Sequence, residues 1–128
     1  MTTTYLSDEW AEAALSSFAD LPKVPGASAR LVHVIAGGRA KETRYRQVLV
    51  DGQVTELAMG DDPDADLSVA VAYKDVAAAP EGYDVTTGFM RGKTKVVGST
   101  GQIMDLLPVL QSDAYRAALA RIAAQTDY

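Results

Sequence analysis

The chain has 128 residues, 48% hydrophobic and 23% charged, with a formal net charge of −5 and no cysteine. That length suits one domain with a single sizeable core, so residues 1–128 are read as one unit. The lack of thiols excludes disulfides, thiolate metal sites and cysteine nucleophiles. The acidic balance speaks against a nucleic-acid partner, which needs a basic face to neutralise phosphates.

No internal repeat or low-complexity segment is present. The opening, MTTTYLSDEW, has neither the basic nor the apolar region of a signal peptide. No run approaches the roughly 18 apolar residues of a membrane span. A cytoplasmic location without stable membrane insertion is expected. A homodimer is compatible with the sequence.

In chain order, Ser7 is an N-cap candidate, with Asp8 and Glu9 at the positive end of the helix dipole. Trp10, Ala11, Ala14, Leu15 and Phe18 then form one face of an amphipathic helix, which Leu21-Pro22 should end. Trp10 and Phe18 read either as core under a sheet or as the lid of a ligand cavity. Ala29 to Ala36 alternates with apolar residues on both faces, the mark of a central strand. A flexible basic loop, residues 37–41, follows. Thr43 to Val50 is a second strand, and Asp51-Gly52 is a hairpin signal, because the mirror-image turn needs positive φ at both positions. The turn sets an expected register: Leu49 with Val54, Gln47 with Glu56 and Tyr45 with Ala58 on one face, Val48 with Thr55 and Arg46 with Leu57 on the other. The third strand should end near Met59.

Asp62, Asp64 and Asp66 have the spacing of the first ligands of a calcium loop. Leu67 stands where such a loop needs glycine and Tyr73 where it needs the closing glutamate, so a solvated crossover loop is expected instead. Leu67 to Ala72 is a fourth strand and Tyr73 to Ala79 a short helix broken by Pro80-Glu81-Gly82. Asp84 caps the next helix, in which Phe89 and Met90 are expected to face inward, and Gly92 ends it. Thr94 to Val97 is a short strand. Ser99 and Gln102 have capping-box spacing and open an apolar helix with Ile103, Met104, Leu106, Leu107 and Leu110, which Pro108 should kink or end. Ser112 and Asp113 open a last helix with Tyr115, Ala118, Leu119 and Ile122 on one face.

The run Phe89-Met90-Arg91-Gly92-Lys93-Thr94-Lys95-Val96-Val97-Gly98, followed by an apolar helix, resembles the FM-x-G-K-x-K-x-x-G segment of the sterol carrier protein (lipid-transfer) domain family. Leu67 to Asp75 is similar to the strand and helix start that precede this segment there, and the resemblance extends from Leu6 to about Ala124. Members often carry an acidic residue after the second glycine; Ser99 stands there, which changes the cap chemistry without touching the fold. The resemblance implies a stand-alone, bacterial-type α+β domain. It would have a five-stranded, mixed and mostly antiparallel sheet, covered on one side by helices, with an apolar tunnel between the layers.

Groups fit for catalysis are few. His33 is the only histidine, which excludes a multi-histidine metal site, and no serine sits in a G-x-S-x-G elbow. His33 reads either as satisfied by a hydrogen bond within the sheet layer or as an acid/base, with Tyr45 or Glu56 from neighbouring strands assisting. Gly98-Ser99-Thr100-Gly101 opens a helix, where backbone N–H groups can hold an anion, but it lacks the lysine of a P-loop. Arg91, Lys93 and Lys95 read as attracting an anionic head group or as the charges that keep an edge strand unpaired.

No metal and no cofactor are implied. The apolar excess carries more: Phe89, Met90, Ile103, Met104, Leu106, Leu107 and Leu110, with Trp10 and Phe18, are the candidate ligand contacts. Burial of a lipid there would supply affinity at roughly 25 cal/mol per Å². The leading expectation is a non-catalytic carrier of one hydrophobic molecule, such as a sterol, fatty acid or fatty acyl-CoA. The alternatives are a small enzyme built on His33, and an assembly module with a closed core and with Tyr115, Ile122 and Tyr128 exposed for contact.

Overall fold

A computed structural model of the chain describes residues 2–38, 41–79 and 82–128. Part of the expected basic loop, Arg39 and Ala40, and part of the expected helix break, Pro80 and Glu81, lie outside the described residues. The elements are β1 (Thr3–Thr4), α1 (Asp8–Ser17), β2 (Ala29–Ala36), β3 (Glu42–Val50), β4 (Gln53–Met59), β5 (Leu67–Ala72), α2 (Tyr73–Ala77), α3 (Val85–Met90), β6 (Thr94–Gly98), α4 (Thr100–Leu110), α5 (Asp113–Ala124) and β7 (Thr126–Asp127). Five strands form one sheet in the order β4-β3-β2-β5-β6. Only the β2–β5 pair within it is parallel, so the sheet is mixed and mostly antiparallel, with β2 at its centre.

The caps follow the sequence. Ser7 accepts from the Trp10 N–H, Asp84 from Thr86 and Thr87, Ser99 from Gln102 and Ser112 from Tyr115, each satisfying a donor the first helical turn leaves free. Three helices depart from expectation. α1 stops at Ser17, short of Leu21-Pro22. α2 ends at Ala77. α4 runs through Pro108 to Leu110, because Pro108 is exposed and water can take the bond its missing N–H leaves open.

The hairpin turn forms with φ 48° at Asp51 and 83° at Gly52, where a Cβ would come within 2.8 Å of Val24. The register holds at Leu49–Val54 and then shifts by one. Gln47 pairs with Leu57, Tyr45 with Met59, Val48 with Glu56 and Arg46 with Ala58. The cause is a bulge beside Val48 and Leu49, which lets Val54, Leu57 and Met59 share the covered face despite their uneven spacing. A strict alternation from the turn would have sent Leu57 outward.

α1 lies against β4. Trp10, Ala11, Ala14 and Phe18 are buried there with Leu49, Val54 and Leu57. β1 and β7, absent from the expected order, pair in parallel and tie Thr3 to Thr126. The acidic loop is structural. The Asp62 carboxylate accepts from Arg30 Nε at 2.9 Å and from the Asp64 N–H at 3.0 Å, while Asp66 accepts from the Arg30 N–H at 2.9 Å. Among the described residues no cluster suited to a metal ion forms, and no helix is long and apolar enough to cross a membrane.

Candidate functional site

Between the sheet and the helices over β2, β5 and β6 lies a cavity of about 420 Å³. Leu31, His33, Gln47, Leu67, Val69 and Val96 line it from the strands. They share one face because the register sets Leu31 beside Gln47 and Leu67, and Val69 beside His33 and Val96. Val85, Thr86 and Phe89 line it from α3, Thr100, Ile103, Leu106, Leu107 and Leu110 from α4, and Tyr115 from α5. α3 approaches the edge strand closely because Gly88 is buried there. A Cβ at that position would collide with the Tyr83 hydroxyl and with Thr94 Oγ1, which are themselves hydrogen-bonded.

A second cavity of about 80 Å³ shares the walls His33, Gln47, Thr86, Leu110 and Tyr115 with the first, and continues toward Trp10, Phe18 and Tyr45. The shared wall carries a chain of hydrogen bonds. Gln47 Nε2 donates to the Tyr115 hydroxyl at 3.3 Å, so Gln47 Oε1 faces His33 Nε2 at 2.8 Å and accepts its proton. His33 therefore carries its proton on Nε2. The ring stacks on Tyr45, with centroids 4.4 Å apart and planes 9° apart.

Burial pushes the His33 pKa down to about 4, with the Gln47 bond pulling the other way. Burial likewise raises the Tyr45 and Tyr115 hydroxyls, so every member of this chain is uncharged near neutral pH. Its chemistry is hydrogen bonding inside an apolar space.

The candidate contacts separate. Ile103, Leu106, Leu107 and Leu110 line the large cavity, and Phe89, 57% exposed, stands at its rim. Trp10 and Phe18 border the small cavity as core residues. Met90 is 82% exposed and Met104 60% exposed, and neither lines a cavity wall. Of the two residues expected to face inward, Phe89 lines the cavity while more than half exposed, and Met90 faces away from it. α3 has six residues and lies over the edge strand, so its last turn has no sheet beyond it to bury against.

Of the acid/base candidates, Tyr45 meets His33, but Glu56 points to the opposite face and pairs with Arg46 Nε at 2.9 Å. Arg91 and Lys93 line a separate polar groove with Asp75, Tyr83 and Asp84, and Lys93 lies 4.0 Å from Asp75. Lys95 is exposed, on the outward face of the edge strand between Thr94 and Val96. Tyr115 and Ile122, expected on an exposed contact surface, are buried instead. Tyr128 packs on Tyr5 with centroids 4.9 Å apart.

Sequence reasoning passed over Gln47 and Thr86 as site residues, together with the strand residues Leu31, Leu67, Val69 and Val96, and placed Tyr115 on a contact surface instead. Gln47 had a signal: a polar residue at an inward position between Tyr45 and Leu49.

No family model matches the chain, and none of the curated proteins does. Solved structures do. A crystal structure of sterol carrier protein 2 superposes with a TM-score of 0.65 over 96% of this chain and 99% of that one, at 16% identity. A possible sterol carrier protein from Thermus thermophilus gives 0.60, covering 92% of this chain and 86% of that one, also at 16% identity. The palmitated SCP2L2 of Aedes aegypti gives 0.55, covering 79% and 94% at 15% identity. The fold is that of the sterol carrier proteins, as the resemblance of the Phe89 to Gly98 segment implied.

Proposed function

We propose that the protein is a non-catalytic carrier that holds one hydrophobic small molecule, such as a sterol, a fatty acid, a fatty acyl-CoA or a related lipid, in the large cavity. One observation carries this reading: a space of about 420 Å³ whose walls are mostly aliphatic and, among the described residues, include no charged side chain. That volume falls within the roughly 300–1,000 Å³ of small-molecule sites, which are apolar with few polar groups. Phe89 at the rim and the apolar face of α4 form the proposed entrance and roof. The shared fold supports the reading without deciding it, since one fold hosts many functions.

Native mass spectrometry of the gently purified chain, with solvent extraction of what it carries, tests this directly. A lipid or apolar metabolite at near-stoichiometric level is the expected result. Clean protein that also takes up neither a fluorescent fatty acid nor a fluorescent sterol overturns it.

A further inference from the structure

The wall shared by the two cavities holds polar groups of one kind only. His33, Gln47, Thr86 and Tyr115 contribute hydroxyl, amide and neutral imidazole, and among the described residues no lysine, arginine or acid lines the large cavity. Two of these groups have spare capacity. Thr86 Oγ1 is buried and has no hydrogen-bond partner among the described residues. Tyr115 accepts from Gln47, and its own O–H proton has no acceptor among them. A buried hydroxyl without a partner costs stability, so a native fold that keeps one invites a functional explanation.

The missing charges are as informative as the spare hydroxyls. A carboxylate drawn to this depth would lose its water and meet no cation, a large penalty in an apolar space. An uncharged oxygen loses far less, and the spare donors replace its water. Resting on the carrier reading above, we propose that Tyr115 and Thr86 form a subsite for an uncharged oxygen group, a hydroxyl or carbonyl. The cavity then selects neutral oxygen-bearing lipids over carboxylates of the same chain length. The oxygen accepts from the Tyr115 O–H, and Thr86 Oγ1 donates to it or accepts from it. The Gln47 and His33 bonds behind Tyr115 hold that hydroxyl in place.

The test uses the full chain and three probes of one chain length, dodecanol, methyl dodecanoate and dodecanoate, at about pH 8, where a carboxylic acid is ionised. Each competes with a fluorescent sterol. Dodecanol and the ester should bind at least about tenfold more tightly than dodecanoate. Thr86→Val should weaken dodecanol about threefold to tenfold while leaving thermal stability unchanged or raised, because it deletes a hydroxyl that had no partner. Tyr115→Phe should weaken dodecanol by a similar factor. If it also lowers stability, Thr86→Val decides alone.

Dodecanoate binding as tightly as dodecanol, or dodecanol affinity unmoved by Thr86→Val, overturns the subsite and leaves the carrier reading standing. Failure of all three probes and of the sterol overturns both.

Discussion

Over β3 and β4 the helix layer packs down on the sheet and leaves only about 80 Å³, whereas over β2, β5 and β6 it stands off and leaves about 420 Å³. Both halves are covered by apolar helices. On the first side α1 sets Ala11 and Ala14 between Trp10 and Phe18, so its backbone can come down onto β4 while the two aromatics fill the flanks. On the second side the roof is a six-residue α3 and an α4 whose inward residues are large, and the strand side chains below them are Leu31, Leu67, Val69 and Val96. An apolar stripe sets which face of a helix turns inward. It does not set how far that face descends.

Truncating one side chain in each half should show the difference in packing most strongly. Leu49→Ala, in the packed half, should cost about 2–5 kcal/mol by urea denaturation, since it opens a hole in close packing. Leu107→Ala should cost about 1 kcal/mol or less, because that side chain already borders empty space. Equal costs would mean that the second half is packed as tightly as the first.

Protonation gives the next largest effect. His33 has its ordinary value of 6.5 when unfolded and about 4 when folded. Between those values the unfolded chain binds the proton and the folded chain does not. Stability therefore falls as pH drops from about 6.5 to about 4, on the order of 3 kcal/mol in all, and levels off below. Denaturation midpoints across that window should show this slope reduced in His33→Gln. An identical slope would mean that other groups cause it.

Filling the void tests the second half from the opposite direction. Leu107→Trp should change stability by about 1 kcal/mol at most, given room to accept the ring. Uptake of a fluorescent sterol should fall at least about tenfold. The smallest effect concerns the roof's attachment. Asp84→Ala removes the cap of α3, which accepts from Thr86 and Thr87, and should cost about 1 kcal/mol in thermal melts.

Local chemistry made much of the fold legible. Ala29–Ala36, Leu67–Ala72 and the end of β4 at Met59 fall where alternation and turn residues placed them. The four helix caps are short-range bonds, set by side chains a few residues from their partners. The bulge beside Leu49 was hidden because it satisfies a distant helix: only the presence of α1 above makes it favourable to turn Leu57 inward. The site was half legible for the same reason. Ile103, Leu106, Leu107 and Leu110 stand out as a stripe, but Met90, on the last turn of α3, and Met104, beside the stripe on α4, face water although equally apolar.

By itself, then, the sequence determined the elements other than β1 and β7, their caps, the hairpin and the central place of β2. It also determined the polar identity of His33, Gln47, Thr86 and Tyr115, since all of this is written in periodicity and side-chain chemistry. Only the tertiary structure decided that these four side chains, drawn from β2, β3, α3 and α5, meet on one wall, and that the helices above them stop short of contact. A cavity is the distance left between packed surfaces. That distance depends on every side chain in both layers at once, so no local pattern encodes it.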